Sequence, residues 1–261
     1  MTVYNVKNQW GGDAAEWHEG GVFNIGNRAD QNPVALNLSS GDGGQSFSGT
    51  MTYSGEGPVG CRATRVTTNC YQAQNQWGGD DAPWHDAGLF LLGARDGQNA
   101  VAFHLSSADG GQTLDGTMTY FGEGPIGVAA SRSAGKAYDA TNQWGGDSAP
   151  WNQGGQFVLG CRDDQAVVAL DVTSPDSGVT LSGTTTYAGE GPIGFRGRQI
   201  MADTYSVENQ WGGDSAPWHD GGRWVIGCRG GQGVVGVDLT QPKGTMTYAG
   251  EGPIGLALVA S

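Results

Sequence analysis

Trp10, Trp77, Trp144 and Trp211 each stand in the string Asn-Gln-Trp-Gly-Gly-Asp, sixty-seven residues apart. An indole offers a flat apolar face that suits the C–H face of a sugar ring, and two following glycines leave backbone N–H groups uncovered. Two further residue types keep the same period. Arg28, Arg95, Arg162 and Arg229 each follow a short apolar run, and Glu56, Glu123, Glu190 and Glu251 lie between glycines just before a proline. A guanidinium is a planar fork of donors, and a carboxylate accepts from two neighbouring hydroxyls. Platform, donor fork and acceptor together are the chemistry of a carbohydrate site.

The competing reading makes each Trp a core plug and each Arg and Glu a structural ion pair. Against it, a core Trp has no need of Gly-Gly beside it, and a carboxylate between glycines is poorly placed for burial. For the second set, Trp17, Trp84, Trp151 and Trp218, packing down is expected, because these residues lack flanking glycines and most follow a proline. His18, His85 and His219 share a register that holds Asn152 in the third copy; an exposed loop without metal is expected there. Asp42-Gly43-Gly44 reads as a hairpin tip, since a calcium β-roll needs a nine-residue repetition that is absent. A glycosidase needs two carboxylates flanking the scissile bond. The acidic pairs Asp80-Asp81 and Asp163-Asp164 do not recur and Glu56 recurs without a partner carboxylate, so neither catalysis nor a cofactor is expected.

The period also defines the elements that must carry these residues. The repeats run 1–67, 68–134, 135–201 and 202–261, the last shortened by six residues because its Gly-Glu-Gly-Pro arrives early. Within the first repeat, alternation predicts strands at 2–9, 22–27, 34–39, 47–53 and 59–66, a loop over 13–21, and turns at 28–31 and 41–44. No segment shows a 3.6-residue apolar period, so the chain reads as all-β. Five short strands cannot bury both edges, whereas ten antiparallel strands close a barrel. Two tandem ten-stranded barrels follow, 1–134 and 135–261, each built from two repeats of five strands. The deletion falls on the third-strand hairpin tip of the last repeat, where shortening removes matching residues from both strands and keeps the register.

The formal charge of −13 over 261 residues argues against nucleic acid and anionic membranes, both of which need a basic face. No apolar run approaches a membrane span and no basic-apolar leader precedes Tyr4, so cytoplasmic synthesis is expected, with release or surface display needing a non-conventional route. The 48 glycines follow the period and are turn chemistry. Cys161 and Cys228 share a register with Asn27 and Ala94, while Cys61 and Cys70 fall elsewhere; buried thiols are expected, with a Cys61–Cys70 bridge the less favoured alternative.

Asn-Gln-Trp-Gly-Gly, Gly-x-Arg and Thr-Tyr-x-Gly-Glu-Gly-Pro, in fixed order over the whole chain, resemble the Oscillatoria agardhii agglutinin homologue lectins in their four-repeat form. The resemblance implies a compact ten-stranded barrel per pair of repeats, with a glycan site near each end, and binding of high-mannose N-glycans through the branched α-mannose core without catalysis. It implies that the Trp loop of one repeat meets the Arg and Glu loops of its partner. Carried over, Trp10, Gly11 and Gly12 join Arg95, Glu123 and Gly124, and Trp77, Gly78 and Gly79 join Arg28, Glu56 and Gly57. In the second barrel Trp144, Gly145 and Gly146 join Arg229, Glu251 and Gly252, and Trp211, Gly212 and Gly213 join Arg162, Glu190 and Gly191. The expected partners are glycoproteins and cell surfaces bearing such glycans, viral envelope glycoproteins among them, bound by a monomer that acts through avidity. The alternative is a structural or coat-type repeat protein, which would bury the Trp10 set.

Overall fold

The computed structural model describes residues 2–12, 14–26, 28, 31–93, 95 and 97–261. Ala29 and Asp30 of the expected 28–31 turn, Asn27 and Ala94 of the cysteine register, and Asp13 lie outside the described residues. The described chain is β-structure throughout and falls into two compact units, divided between Ser133 and Ala134.

The first unit holds β1 (Thr2–Gln9), β2 (Trp17–Ile25), β3 (Pro33–Ser39), β4 (Ser46–Tyr53), β5 (Pro58–Thr67), β6 (Cys70–Gln76), β7 (His85–Leu91), β8 (Ala100–Ser106), β9 (Thr113–Tyr120) and β10 (Pro125–Arg132). The second repeats them as β11 (Lys136–Gln143), β12 (Asn152–Leu159), β13 (Val167–Thr173), β14 (Thr180–Tyr187), β15 (Ile193–Met201), β16 (Thr204–Gln210), β17 (Trp218–Val225), β18 (Val234–Thr240), β19 (Lys243–Tyr248) and β20 (Ile254–Ala260). Each set closes an antiparallel barrel, the first running β1, β10, β9, β8, β3, β4, β5, β6, β7, β2 and back to β1. The two repeats are therefore interleaved. Repeat one lends β1 and β2 to a half-barrel made with β8, β9 and β10, while β3, β4 and β5 continue into β6 and β7. This exchange puts the β1–β2 loop of one repeat beside the β9–β10 loop of the other, with Gln9 opposite Gly127 across the β1–β10 ladder.

Alternation within each strand buries one face. Tyr4, Val6 and Asn8 of β1 point inward while Lys7 is exposed. In the first barrel the core is crossed by edge-to-face rings, Phe23 on Phe103 at 5.8 Å and Phe47 on Tyr71 at 5.1 Å. In the second, Phe195 meets Trp224 at 5.1 Å. Such ring pairs add to the apolar burial that drives closure. All four cysteines are free, Cys61, Cys70 and Cys228 buried and Cys161 half-buried, so no bridge joins Cys61 to Cys70.

The largest boundary difference from the sequence reading is at the start of β2. The expected loop over 13–21 is shorter, because β2 starts at Trp17 and pairs with β1 through a bulge: Val6 faces Gly21 and Lys7 faces Glu19, leaving Gly20 unpaired. Gly21 takes the extra bend with a φ of 80° that glycine adopts without strain. A Gly-Gly step that reads as loop chemistry is here a bulge inside a strand.

The hairpin tips behave as read. In the first, the Asp42 carboxylate accepts from Ser46 N–H at 2.9 Å and Ser46 Oγ at 2.6 Å. In the second, Thr113 and Ser107 do the same for Asp109 and pull its carboxyl down to about 2. Each tip also receives a core tyrosine from the partner repeat. Tyr4 donates to Gly111 O at 3.0 Å, Tyr71 to Gly44 O at 3.3 Å and Tyr205 to Gly178 O at 3.0 Å. The deletion removes the fourth tip and leaves the ladder intact, with Val237 opposite Met246 as Leu36 is opposite Met51. Its consequence falls on Tyr138, whose buried hydroxyl has no partner among the described residues. A buried unpaired hydroxyl costs free energy, whereas removing a paired one loses a bond and orphans its acceptor. Tyr138→Phe is therefore expected to stabilise the second barrel by about 1 kcal/mol, and Tyr4→Phe to destabilise the first by about 1–2 kcal/mol, as urea unfolding will read.

Candidate functional site

Trp10 opens the β1–β2 loop with Gly11 and Gly12, whose φ angles of 97° and 100° only glycine accepts readily. The residue before it holds the loop in shape. Gln9 Nε2 donates to Ala15 O at 2.6 Å, and Gln76, Gln143 and Gln210 do the same for Ala82, Ala149 and Ala216 at the same distance. The Asn of the motif is buried instead; Asn75 donates to Gly60 O at 3.4 Å and accepts from Tyr53 Oη at 3.3 Å. With Asn and Gln occupied by the fold, the indole is left outside. Trp10, Trp77, Trp144 and Trp211 are 45–49% exposed, which removes the main support for a purely structural role.

Opposite each indole stands the clamp of the partner repeat. The Arg95 guanidinium carbon is 5.6 Å from the Trp10 ring, Arg28 is 5.6 Å from Trp77, Arg229 is 5.8 Å from Trp144 and Arg162 is 6.0 Å from Trp211. Those are the pairings that the resemblance implies. Each guanidinium rests on the tyrosine ending Thr-x-Thr-Tyr, at 4.1–4.4 Å from the ring of Tyr53, Tyr120, Tyr187 or Tyr248. Each binds its glutamate: Arg28–Glu56 at 2.6 Å, Arg95–Glu123 at 2.9 Å, Arg162–Glu190 at 2.7 Å and Arg229–Glu251 at 2.8 Å. An ion pair this open to solvent adds little to stability, so its fourfold repetition points to a use outside the fold.

A third clamp residue escaped the sequence reading. Gln98 accepts from Arg95 at 3.0 Å and donates to Glu123 at 3.0 Å, and Gln31, Gln165 and Gln232 link their own Arg and Glu in the same way. Its signal was present: a Gln follows each clamp Arg by three residues in every repeat. These bonds hold the carboxyls of Glu56, Glu123 and Glu251 below the usual range. For Glu56 the Arg28 bond leads; for Glu123 and Glu251 the Gln98 and Gln232 amides lead and the arginine follows.

The glycine beside each glutamate is informative. Gly57, Gly124, Gly191 and Gly252 lie outside the left-handed region, and a Cβ on any of them would meet nothing within 4 Å. The fold makes no demand for glycine there, whereas a ligand laid against the backbone does.

Two expectations about neighbouring residues need correction. Trp17, Trp84, Trp151 and Trp218 do not pack down into the core: Trp17 is 44% and Trp151 38% exposed, and Trp84 and Trp218 are half-buried. They lie on the outer barrel surface, where a glycine two strands away leaves room; the Trp84 ring edge sits 3.4 Å from where a Cβ on Gly60 would be. Nor are the histidines on a loop. They fall within β2, β7 and β17, each stacked on its Trp at 4.1–4.2 Å, so the indole keeps one face backed and one face open. His85→Ala is expected to weaken sugar binding at the Trp77 site about threefold, by freeing the indole to move, with no change in site number in a titration. Among the described residues no group of three His, Cys, Asp or Glu is placed to hold a metal ion.

The model of the OAA-family lectin sugar binding domain matches four times, at residues 2–66, 69–133, 136–200 and 203–260. The chain is 55% identical to the myxobacterial hemagglutinin of Myxococcus xanthus over 261 residues, 98% of each chain. It is 62% identical to the lectin OAA of Planktothrix agardhii over 125 residues, 48% of this chain and 95% of that one. The crystal structure of the Myxococcus xanthus hemagglutinin in complex with α3,α6-mannopentaose superposes with a TM-score of 0.96 at 54% identity, covering 99% of this chain and all of that one. These relatives are lectins and a hemagglutinin, not enzymes. With the family domain matched along almost its whole length, the chain belongs to the OAA-family lectins.

Proposed function

We propose that this lectin binds high-mannose N-glycans at their branched α-mannose core through four sites, two per barrel, and cross-links the glycoproteins or cells that carry them. The observation that carries the reading is the facing of each exposed indole by an Arg–Gln–Glu clamp from the partner repeat across uncovered glycine backbone. The indole takes the C–H face of a mannose ring, the Arg fork donates to ring hydroxyls, Glu accepts from an adjacent pair, and the glycine N–H groups complete the contacts. The mannopentaose complex of a relative 54% identical supports the same ligand class.

A monomer suffices for this function, because internal duplication already makes the chain multivalent. Single sugar sites bind weakly, and linked sites gain by roughly a hundredfold or more when one target offers several glycans. Viral envelope glycoproteins dense in oligomannose are targets of that kind. Calorimetric titration with mannopentaose is expected to show four sites per chain and unchanged sugar at the end. Absence of heat with any oligomannose, or release of free mannose, would refute the reading.

A further inference from the structure

In the first barrel the two tryptophans of each repeat share a trough on the outer face. In the row formed by Thr117, Gly127, Gln9 and Trp17 across β9, β10, β1 and β2, Gly127 contributes no side chain. A trough of about 430 Å³ opens over it, lined by Trp10, Trp17, Asp115 and Thr117 among others, and neither Arg95 nor Glu123 takes part. Trp10, Gly11 and Gly12 of the β1–β2 loop form part of its wall. Its counterpart over Gly60, of about 500 Å³, lies between Trp77 and Trp84.

What distinguishes the copies is the state of the second indole. Arg62 lies over Trp84 and Arg196 over Trp218, each at 4.4 Å, and the Lys243 ammonium is 5.5 Å from Trp151. At the position of Arg62 the second repeat carries Ala129, so among the described residues no cation covers Trp17. Opposite that alanine the wall residue is Asp115, where the first repeat pairs Arg62 with Ser48. One trough of the set therefore offers a bare indole and a carboxylate together. These are the two components that the clamp site itself combines, and the volume falls within the range of small-ligand pockets. The carboxylate and the net charge of −13 disfavour sialylated or sulfated sugars, which leaves a neutral hexose.

We propose that the Trp17–Asp115 trough is an additional sugar subsite, taking a neutral hexose linked to the one held at Trp10, so that the Trp10 site is extended and the other three are not. The proposal rests on the sugar-binding reading above. At the other sites a cation already covers the indole face and a sugar must displace it.

The test follows the indole N–H resonances of Trp10 and Trp77 during titration with a branched mannotriose and with mannopentaose. Mannotriose is expected to bind both sites alike, and mannopentaose to bind the Trp10 site roughly fivefold to tenfold tighter than the Trp77 site. Ala129→Arg, which sets a cation over Trp17 as Arg62 sits over Trp84, is expected to erase that excess, as is Trp17→Ala; Trp84→Ala is expected to leave it. Equal mannopentaose affinity at the two wild-type sites, or an excess that survives Ala129→Arg, overturns the subsite while leaving the clamp sites standing. Failure of both sugars to move either resonance overturns the sugar-binding reading and the subsite with it.

Discussion

Glu123→Ala is expected to remove one sugar site of the four and leave three, with affinity at the Trp10 site falling about a hundredfold or more. The carboxylate is the charged acceptor of the clamp: it takes hydrogen bonds from Arg95 at 2.9 Å and from Gln98 at 3.0 Å. Without it, Arg95 and Gln98 lose the group that orients them, and the sugar loses its acceptor. The fold should be indifferent, because the pair is open to solvent. Glu56→Ala, Glu190→Ala and Glu251→Ala are expected to do the same at their own sites, and calorimetric stoichiometry with unchanged circular dichroism checks each. Acid should act through the same group. A carboxyl held below its usual range stays ionised as pH falls through that range, so binding by the Glu56, Glu123 and Glu251 sites should persist at pH 4.5 and fail only on further acidification.

Gly49→Ala is expected to have the largest effect on stability, about 4 kcal/mol or more, and to unfold the first barrel at moderate temperature. Gly49 sits in β4 opposite Leu38 with a φ of 155°, and a Cβ there would lie 2.0 Å from the Asn37 carbonyl oxygen. The obstacle is backbone in a paired strand and cannot turn aside. Gly116, Gly183 and Gly244 meet carbonyls at 2.0–2.1 Å in the same way. Gly124→Ala is the contrast: no stability change in thermal denaturation, but weakened sugar binding, since only a ligand approaches there. The two variants separate glycines that the barrel requires from those that the site requires.

Much of this was legible because the repeat fixes which residues matter. A Trp, an Arg and a Glu kept in register through four copies mark the site, and alternation marks the strands. The Gly20-Gly21 bulge was not legible, because a Gly-Gly step signals a turn equally well and only the pairing of Val6 with Gly21 distinguishes them. Interleaving of the repeats was not legible from alternation either, since strand order depends on which edges meet; family resemblance alone pointed to cross-repeat sites. Gln98 was overlooked because an amide in a turn carries no chemistry until Arg95 and Glu123 stand on either side of it. The exposure of Trp17 rests on absences, the missing side chain of Gly127 and the missing cation at Ala129, which a motif search does not register.

The tryptophan indole N–H resonances, followed during titration with a short α-mannoside, report directly on where the sugar sits. Those of Trp10, Trp77, Trp144 and Trp211 are expected to shift and saturate, while that of Trp224, buried and donating to Gly221 O at 2.8 Å, stays in place. Saturable binding with those four resonances unmoved would overturn the four-site assignment and place the sugar elsewhere on the barrels.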